Sequence, residues 1–236
     1  MKAAIMQPYF FPYIGYFSLI KHTDIFILFD PVQFIRHGWI ERNRILKQNS
    51  GWLYIQVPII NKGRDVIIQD LIIDNSQEWK NKIVAQLQPY KKIAPHYYKV
   101  MKLIDEIFDK DYQYLIDLNY ETIKRICSYL NIDREIFIFS KMNLKIEVAN
   151  APDEWALNIC KVLDNVTEYW NPPGGESFFD KSKYDAANIK LNFQSVAINP
   201  YDQKLKSFEA GLSIIDVIMF NSPEEVNEML DNYQLK

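Results

Sequence analysis

Several residue types that mark common protein classes are scarce in this sequence. Two cysteines occur among 236 residues, Cys127 and Cys160, and each lies within an apolar stretch. They therefore indicate buried free thiols in a reducing compartment rather than a disulfide or metal framework. The three histidines lack the spacing of a zinc site. We expect no structural metal and a cytoplasmic location.

Positive net charge and long hydrophobic runs are also lacking. The formal net charge is −3, which disfavours general nucleic-acid binding, because that function needs a basic surface. No apolar run approaches the length of a membrane-spanning helix, so no membrane insertion is expected. Pro8, Pro12 and Gly15 interrupt the apolar start of the chain, so no signal peptide is expected either.

The composition is that of a folded globular protein, with 48% hydrophobic and 24% charged residues. Apolar segments at residues 2–6 and 24–29, separated by a loop and a helix at residues 15–22, have the spacing of a parallel βαβ unit. Further strands are predicted at residues 52–59, 66–73, 135–139, 166–170 and 189–193, the first two joined by the turn Asn61-Lys62-Gly63. Helices are predicted at residues 76–90, 95–109, 111–130, 153–163, 213–220 and 223–233. The pattern predicts one α/β domain, residues 1–236, with a mainly parallel Rossmann-like sheet, a helical insert at about residues 76–131 and C-terminal helices.

An aromatic and proline-rich loop follows the first predicted strand. It places a glycine where a helix begins, and helix N-termini attract anions because their N–H groups are unpaired. A glycine there lets a ligand approach the backbone, and tyrosines beside it can donate hydrogen bonds. The same pattern fits an aromatic-rich core loop. The candidate ligand-binding residues are Gln7, Tyr9, Tyr13, Gly15 and Tyr16.

Polar and cationic residues follow the second predicted strand. Three arginines fall within residues 36–44, and ligands of open α/β sheets bind beyond the carboxyl ends of strands. The arginine fork suits phosphate or carboxylate, and a tryptophan face suits a base or sugar. A solvated basic loop is the alternative. The candidate binding residues are Gln33, Arg36, Trp39, Arg42, Asn43 and Arg44, and the candidate catalytic bases are Asp30 and His37.

A third group lies after the strand predicted at residues 166–170. Gly174 and Gly175 form a glycine pair whose backbone N–H groups can face a ligand, although an ordinary tight turn has the same sequence. Asp216 lies within an apolar helical stretch, where we expect a structural role.

The N-terminal spacing resembles that of nucleotidylyltransferase-type folds, in which a His-x-Gly-His motif opens a helix after a strand. The corresponding residues here are Tyr13-Ile14-Gly15-Tyr16, with tyrosines in place of both histidines. The run Asp30-Pro31-Val32-Gln33-Phe34 is similar to a substrate-binding stretch of pantothenate synthetase, which implies that Gln33 binds substrate.

Three stretches together resemble the WbqC-like family of bacterial proteins: residues 6–17, residues 30–44, and the closing Phe208 with residues 212–216. That family is similar to products of gene clusters for O-antigen and other surface polysaccharides. The resemblance implies an amide-forming acyl or aminoacyl transferase that acts on a nucleotide-linked amino sugar, with ATP and Mg²⁺ as candidate cofactors and a homodimer as a candidate state. The alternatives are a nucleotidylyltransferase acting on a sugar phosphate and a non-catalytic scaffold of a polysaccharide-synthesis complex.

Overall fold

The protein is built around a six-stranded sheet with helices on both faces. The structure is a computed structural model that describes residues 1–61, 63 and 65–236. The described strands are β1 (Lys2–Met6), β2 (Ile25–Leu28), β3 (Arg42–Leu46), β4 (Trp52–Gln56), β5 (Glu135–Ile138), β6 (Glu168–Asn171), β7 (Lys190–Val196) and β8 (Tyr233–Leu235). The described helices are α1 (Ile14–His22), α2 (Trp79–Leu87), α3 (Tyr97–Phe108), α4 (Leu115–Tyr129), α5 (Glu154–Val162), α6 (Lys181–Ala186), α7 (Ile214–Phe220) and α8 (Pro223–Asp231).

The strand order of the sheet is β5-β2-β1-β6-β7-β8. The pairs β1·β2, β2·β5, β1·β6 and β6·β7 are parallel, and only β7·β8 is antiparallel. From β1 the chain builds the sheet in one direction through β2 and β5, then crosses to β6 and builds in the other. The order therefore reverses between β1 and β6. This α/β, mainly parallel, Rossmann-like architecture confirms the predicted fold class.

Alternating side chains of β1 and β2 divide the core into two halves. Ala4, Phe26 and Leu28 pack with α1 on one face, and Ile5 and Ile27 pack with α5 on the other. Strands buried on both faces read as continuous apolar runs, which is why residues 2–6 and 25–28 were recognisable in the sequence.

Most predicted helices and strands are present within a few residues of their expected bounds. The strand expected at residues 66–73 is wrong: Ile68–Asp70 is a 3₁₀ turn, flanked by isolated bridges such as Gln33↔Ile67 and Ile59↔Ile73. Ile68 and Leu71 are both fully buried, a spacing of three that suits a 3₁₀ turn rather than a strand. Of the expected turn Asn61-Lys62-Gly63, Lys62 lies outside the described residues.

Among the described α-helices and strands, three were not predicted from the sequence. Helix α6 and the short edge strand β8 are two of them. The third is β3, which forms an antiparallel hairpin with β4. Because of it, Arg42, Asn43 and Arg44 lie on a strand, whereas no secondary structure was predicted for them from the sequence.

Candidate functional site

A large cavity lies at the carboxyl edge of the parallel strands, where the strand order reverses between β1 and β6. We call it the cleft. Its volume is about 730 Å³, within the range of pockets that hold metabolites and cofactors. Open α/β sheets bind ligands at this position because two neighbouring loops diverge there and leave a crevice. The lining comprises Ile5, Met6, Gln7, Tyr9, Phe29, Val32, Ala149, Asn150, Ala151, Pro152, Trp155, Ala156, Tyr169, Asn171, Pro172, Gly174, Gly175, Phe178 and Phe179.

The β1 side of the cleft carries a glutamine whose backbone is fixed and whose amide is available. The Tyr16 hydroxyl donates to the Gln7 carbonyl at 3.0 Å from the core side. Among the described residues, the Gln7 side-chain amide has no hydrogen-bond partner, and Gln7 is one of the residues that line the cleft. Tyr9 packs on Tyr16 with ring centroids 5.7 Å apart. The β1 side therefore contributes one amide, from Gln7, and one phenol, from Tyr9, and contacts with the buried Tyr16 hold both residues in place.

The β6 side carries an asparagine whose amide is held in one orientation. Asn171 Oδ1 accepts from the Tyr169 hydroxyl at 3.1 Å, and its Nδ2 donates to the Pro172 carbonyl at 3.1 Å. A Cβ at position 175 would lie 2.3 Å from Asn171 Nδ2 and 2.9 Å from the Phe179 ring. Glycine is therefore required at 175 so that Asn171 and Phe179 can take these positions. Gly174 has nothing within 4 Å of its Cβ position.

Aromatic rings form much of the remaining wall. Phe29 and Trp155 contact each other with centroids 5.4 Å apart, and Tyr169 stacks on Phe179 at 5.8 Å with an interplanar angle of 27°. Phe178 remains 53% exposed, so an apolar ring lies at the cleft surface where a ligand could cover it. Flat apolar walls with a few amide groups suit a base or sugar ring.

Among the residues that the structure describes, the cleft lining contains no Asp, Glu, His, Lys or Arg. Its ionisable groups are the phenols of Tyr9 and Tyr169. Burial raises the pKa of Tyr9 and raises that of Tyr169 well above the usual value. Both phenols are therefore neutral near pH 7 and act as hydrogen-bond groups rather than bases. Within the described residues, no group of three or more His, Cys, Asp or Glu is placed to hold a metal ion.

Four of the residues predicted to bind ligand line the cleft: Gln7, Tyr9, Gly174 and Gly175. Tyr16 is fully buried, and its hydroxyl donates to the Gln7 carbonyl from the core side. At Gly15, a Cβ would lie 2.4 Å from the Tyr13 ring. The space expected for a ligand beside Gly15 is therefore taken by Tyr13. Neither Tyr13, Gly15 nor Tyr16 is part of the lining.

The two predicted catalytic bases lie outside the cleft lining. Asp30 is fully buried, and its carboxylate accepts from Ser140 N at 3.0 Å and from Ser140 Oγ at 2.6 Å. Burial raises its pKa, and the bonds from Ser140 partly oppose that shift. His37 is exposed, has a left-handed backbone with φ of 65°, and contacts Arg42 through its ring and its carbonyl. Asp30 thus anchors the segment that follows β5.

The predicted residues on and before β3 are also outside the lining, and the structure shows what several of them hold. Arg42 donates to the carbonyls of His37 and Gly38 and lies 4.0 Å above the Tyr54 ring. Arg44 donates to Gly211 and lies over the Trp39 and Trp52 rings at 5.4 and 5.1 Å.

The buried Asn43 joins this strand to the loop after β1. Its Nδ2 donates to the carbonyls of Phe10 and Phe11. Gln33 and Arg36 lie at the surface, with Gln33 in a bridge with Ile67.

Several cleft residues were not identified from the sequence. The segment 149–156 supplies Ala149, Asn150, Ala151, Pro152, Trp155 and Ala156, and the segment after β2 supplies Phe29 and Val32. These residues are mostly apolar and lie far apart in the chain, so no local pattern marks them. Pro152 before a predicted helix near the sheet edge was the one available signal.

Fold and cleft together define the class: an α/β protein with a Rossmann-like sheet and a metabolite-sized cleft at its topological switch point. Comparison with known proteins gives the family. The model of the WbqC-like protein family matches residues 7–228, and the chain belongs to that family. It is also similar to an uncharacterized protein of Mycobacterium tuberculosis, Rv1507c, with 30% identity over 232 residues that cover 97% of each chain. No solved structure matches the chain.

Within the described residues, no helix has both the length and the apolar character that crossing a bilayer requires.

Proposed function

We propose that the cleft binds a nucleotide-linked amino sugar and that the protein is an amide-forming acyl or aminoacyl transferase of O-antigen or other surface-polysaccharide biosynthesis. The observation that carries the binding step is the cleft itself, a cavity of about 730 Å³ at the switch point with aromatic walls and amide groups from β1 and β6. The choice of an amino sugar as substrate rests on the resemblance of the sequence to the WbqC-like family.

The chemistry of the lining favours an acyl donor that is already activated. Forming an acyl-adenylate from ATP needs groups that neutralise a triphosphate, and the lining offers amides, phenols and backbone. With a thioester donor, the sugar amine attacks the acyl carbon, the C–N bond forms, the C–S bond breaks, and the thiolate leaves with the amine proton. In this route the cleft contributes mainly by holding amine and acyl carbon together.

Gln7 and Asn171 have different roles in this proposal. The Gln7 amide, which has no partner among the described residues, can accept from a sugar hydroxyl or donate to the acyl oxygen. The Asn171 amide is fixed by Tyr169 and Pro172, so it presents one orientation to the ligand. Trp155 and Phe178 provide faces for the base or sugar ring.

The test is a mass-spectrometric assay with a nucleotide-linked 4-amino sugar, a panel of acyl thioesters, and separately ATP, Mg²⁺ and amino acids. We expect a product whose mass increases by the acyl group, and a loss of at least about tenfold in kcat/KM for Gln7→Ala. Gln113→Ala is the matched control, because Gln113 is an exposed glutamine outside the cleft lining. Absence of product with every donor, together with absence of binding of the nucleotide sugar, would refute the proposal.

A further inference from the structure

A second concave surface lies where the β3–β4 hairpin, the 3₁₀ turn Gln88–Lys92 and the loop before α7 meet. Its volume is about 220 Å³, and it shares no lining residue with the cleft. Three of its lining residues are lysines, Lys47, Lys92 and Lys204, and each comes from a different one of these segments. None of its lining residues is acidic. We call this surface the lysine pocket.

A buried polar network fixes the three segments relative to one another. Asp216 is fully buried, and its Oδ1 accepts from the Tyr90 hydroxyl at 2.6 Å. The Tyr90 hydroxyl in turn accepts from Leu46 N at 2.8 Å. Tyr90 and Leu46 both line the lysine pocket, so one carboxylate links the hairpin to the 3₁₀ turn.

The same carboxylate holds the third segment. Asp216 Oδ2 accepts from the Tyr201 hydroxyl at 2.5 Å and from Gln203 Nε2 at 2.9 Å. Gln203 immediately precedes Lys204. Burial raises the pKa of Asp216, and the three donors partly oppose that shift. Asp216 thus has the structural role expected from the sequence, and its partners are two tyrosines and a glutamine. These contacts preorganise the lysine pocket.

Two lining residues have unusual backbone conformations. Asn49 has φ of 83° and Lys204 has φ of 57°. Asparagine tolerates the left-handed region, whereas lysine adopts it rarely. Left-handed non-glycine residues are frequent at ligand-binding positions, where the surrounding structure maintains them. In the lysine pocket, the hydrogen bond from Gln203 to Asp216 holds the backbone next to Lys204 in place.

The charges at this surface favour an anion. Asp202 pairs with Lys204, but both side chains are more than half exposed, so the pair is weak. Lys47 and Lys92 have no ion-pair partner among the described residues. Three lysines that line one pocket, in a protein of net charge −3, create a local positive potential that concentrates small anions.

We propose that the lysine pocket binds a phosphate or diphosphate group of a small soluble metabolite. Lysine supplies point charges with three donors each, which suits the several oxygens of a phosphate. The proposal concerns a site separate from the cleft and does not depend on the acyltransferase assignment.

The test is isothermal titration of the whole protein with inorganic pyrophosphate and with inorganic phosphate at low ionic strength. The variant is Lys47→Gln, Lys92→Gln and Lys204→Gln combined. The control carries the same charge change at three exposed lysines outside the pocket: Lys102→Gln, Lys145→Gln and Lys190→Gln. We expect the wild type and the control to bind pyrophosphate, and the pocket variant to bind at least about tenfold more weakly.

Each other outcome contradicts the proposal. No binding by the wild type, or equal weakening in both triple variants, would mean that the pocket has no specific anion site. Binding to phosphatidylglycerol vesicles without binding to pyrophosphate would assign the surface to a membrane headgroup instead. If the triple variant does not fold, Lys92→Gln alone must weaken pyrophosphate binding at least about threefold, and an unchanged affinity overturns the proposal.

Discussion

The cleft and the β3 segment, residues 36–44, use polar groups in opposite ways. In the β3 segment, Arg42, Asn43 and Arg44 direct their donors at backbone carbonyls and aromatic rings of the protein itself. In the cleft, the polar side chains are uncharged, and the Gln7 amide is left without a partner among the described residues. The comparison shows that a dense run of charged residues can hold loops together while a binding cavity forms from residues without charge.

The largest expected effect tests the structural side of this comparison. Asn43→Ala should lower the free energy of unfolding by about 3 kcal/mol, because it removes two bonds to the carbonyls of Phe10 and Phe11 and leaves a buried cavity. Denaturant unfolding measures the loss. Ser213→Ala, which removes another donor to the Phe11 carbonyl and the N-cap of α7, is the comparison variant and should lower the free energy of unfolding by about 2 kcal/mol. If Asn43→Ala instead abolishes ligand binding and leaves stability unchanged, Asn43 is a binding residue.

The second largest expected effect tests ligand binding in the cleft. Gly175→Ala should weaken binding of a nucleotide-linked 4-amino sugar at least about tenfold, or about 1.4 kcal/mol. The reason is that the new Cβ would meet Asn171 Nδ2 at 2.3 Å and Phe179 at 2.9 Å, so the β6 wall must move. Gly174→Ala differs by one position and meets nothing within 4 Å. Titration calorimetry that finds the two variants equal would show that the β6 wall does not contact the ligand.

A third prediction separates anchoring from catalysis at Asp30. Burial raises its pKa in the folded state. The carboxyl therefore contributes stability that is fully present below the unfolded pKa and is lost as pH rises through the raised folded pKa. Asp30→Asn, which cannot titrate, should flatten this part of the curve of unfolding free energy against pH while preserving ligand affinity.

Ser140→Ala is the companion variant, because Ser140 supplies both bonds to Asp30 and the change removes one. It should lower the free energy of unfolding by about 1 kcal/mol at every pH at which the Ser140 hydroxyl donates to Asp30. If Asp30→Asn abolishes turnover and Ser140→Ala does not, Asp30 is a catalytic base rather than a structural anchor. The contrast between the cleft and the β3 segment would then be wrong.

The sequence predicted β1, β2 and β5 of the sheet because these strands are short, mostly apolar runs between polar loops. It did not predict β3, because the buried face of that strand begins with the polar Asn43, so Arg42-Asn43-Arg44 shows no alternation of apolar and polar residues. The stacking of these arginines on Tyr54, Trp39 and Trp52 depends on the partner strand and the preceding loop. Such pairing is a tertiary property that local propensity does not contain.

The candidate site was predictable only where its residues directly follow β1 and β6. Gln7 and Tyr9 follow the first strand directly, and Gly174 and Gly175 follow β6, so the rule for strand ends identifies them. Trp155 and its neighbours reach the cleft because α5 packs against the sheet face formed by Ile5 and Ile27. That placement needs the strand order, and in particular the crossover from β5 to β6, which no sequence window reveals.

The smallest expected effect concerns Arg42. Arg42→Ala removes a partly exposed guanidinium that lies 4.0 Å from the Tyr54 ring centroid and donates to Gly38. Such contacts are worth about 0.5–1 kcal/mol each at exposed sites and are not additive. We expect thermal unfolding to show a loss of about 1 kcal/mol, and calorimetry to show ligand affinity in the cleft within about twofold of the wild type. Arg125→Ala, which breaks a surface pair with Glu106, serves as the control for loss of one arginine charge. A tenfold loss of affinity in Arg42→Ala alone would place a ligand anion against β3 and show that the β3 segment, too, takes part in binding.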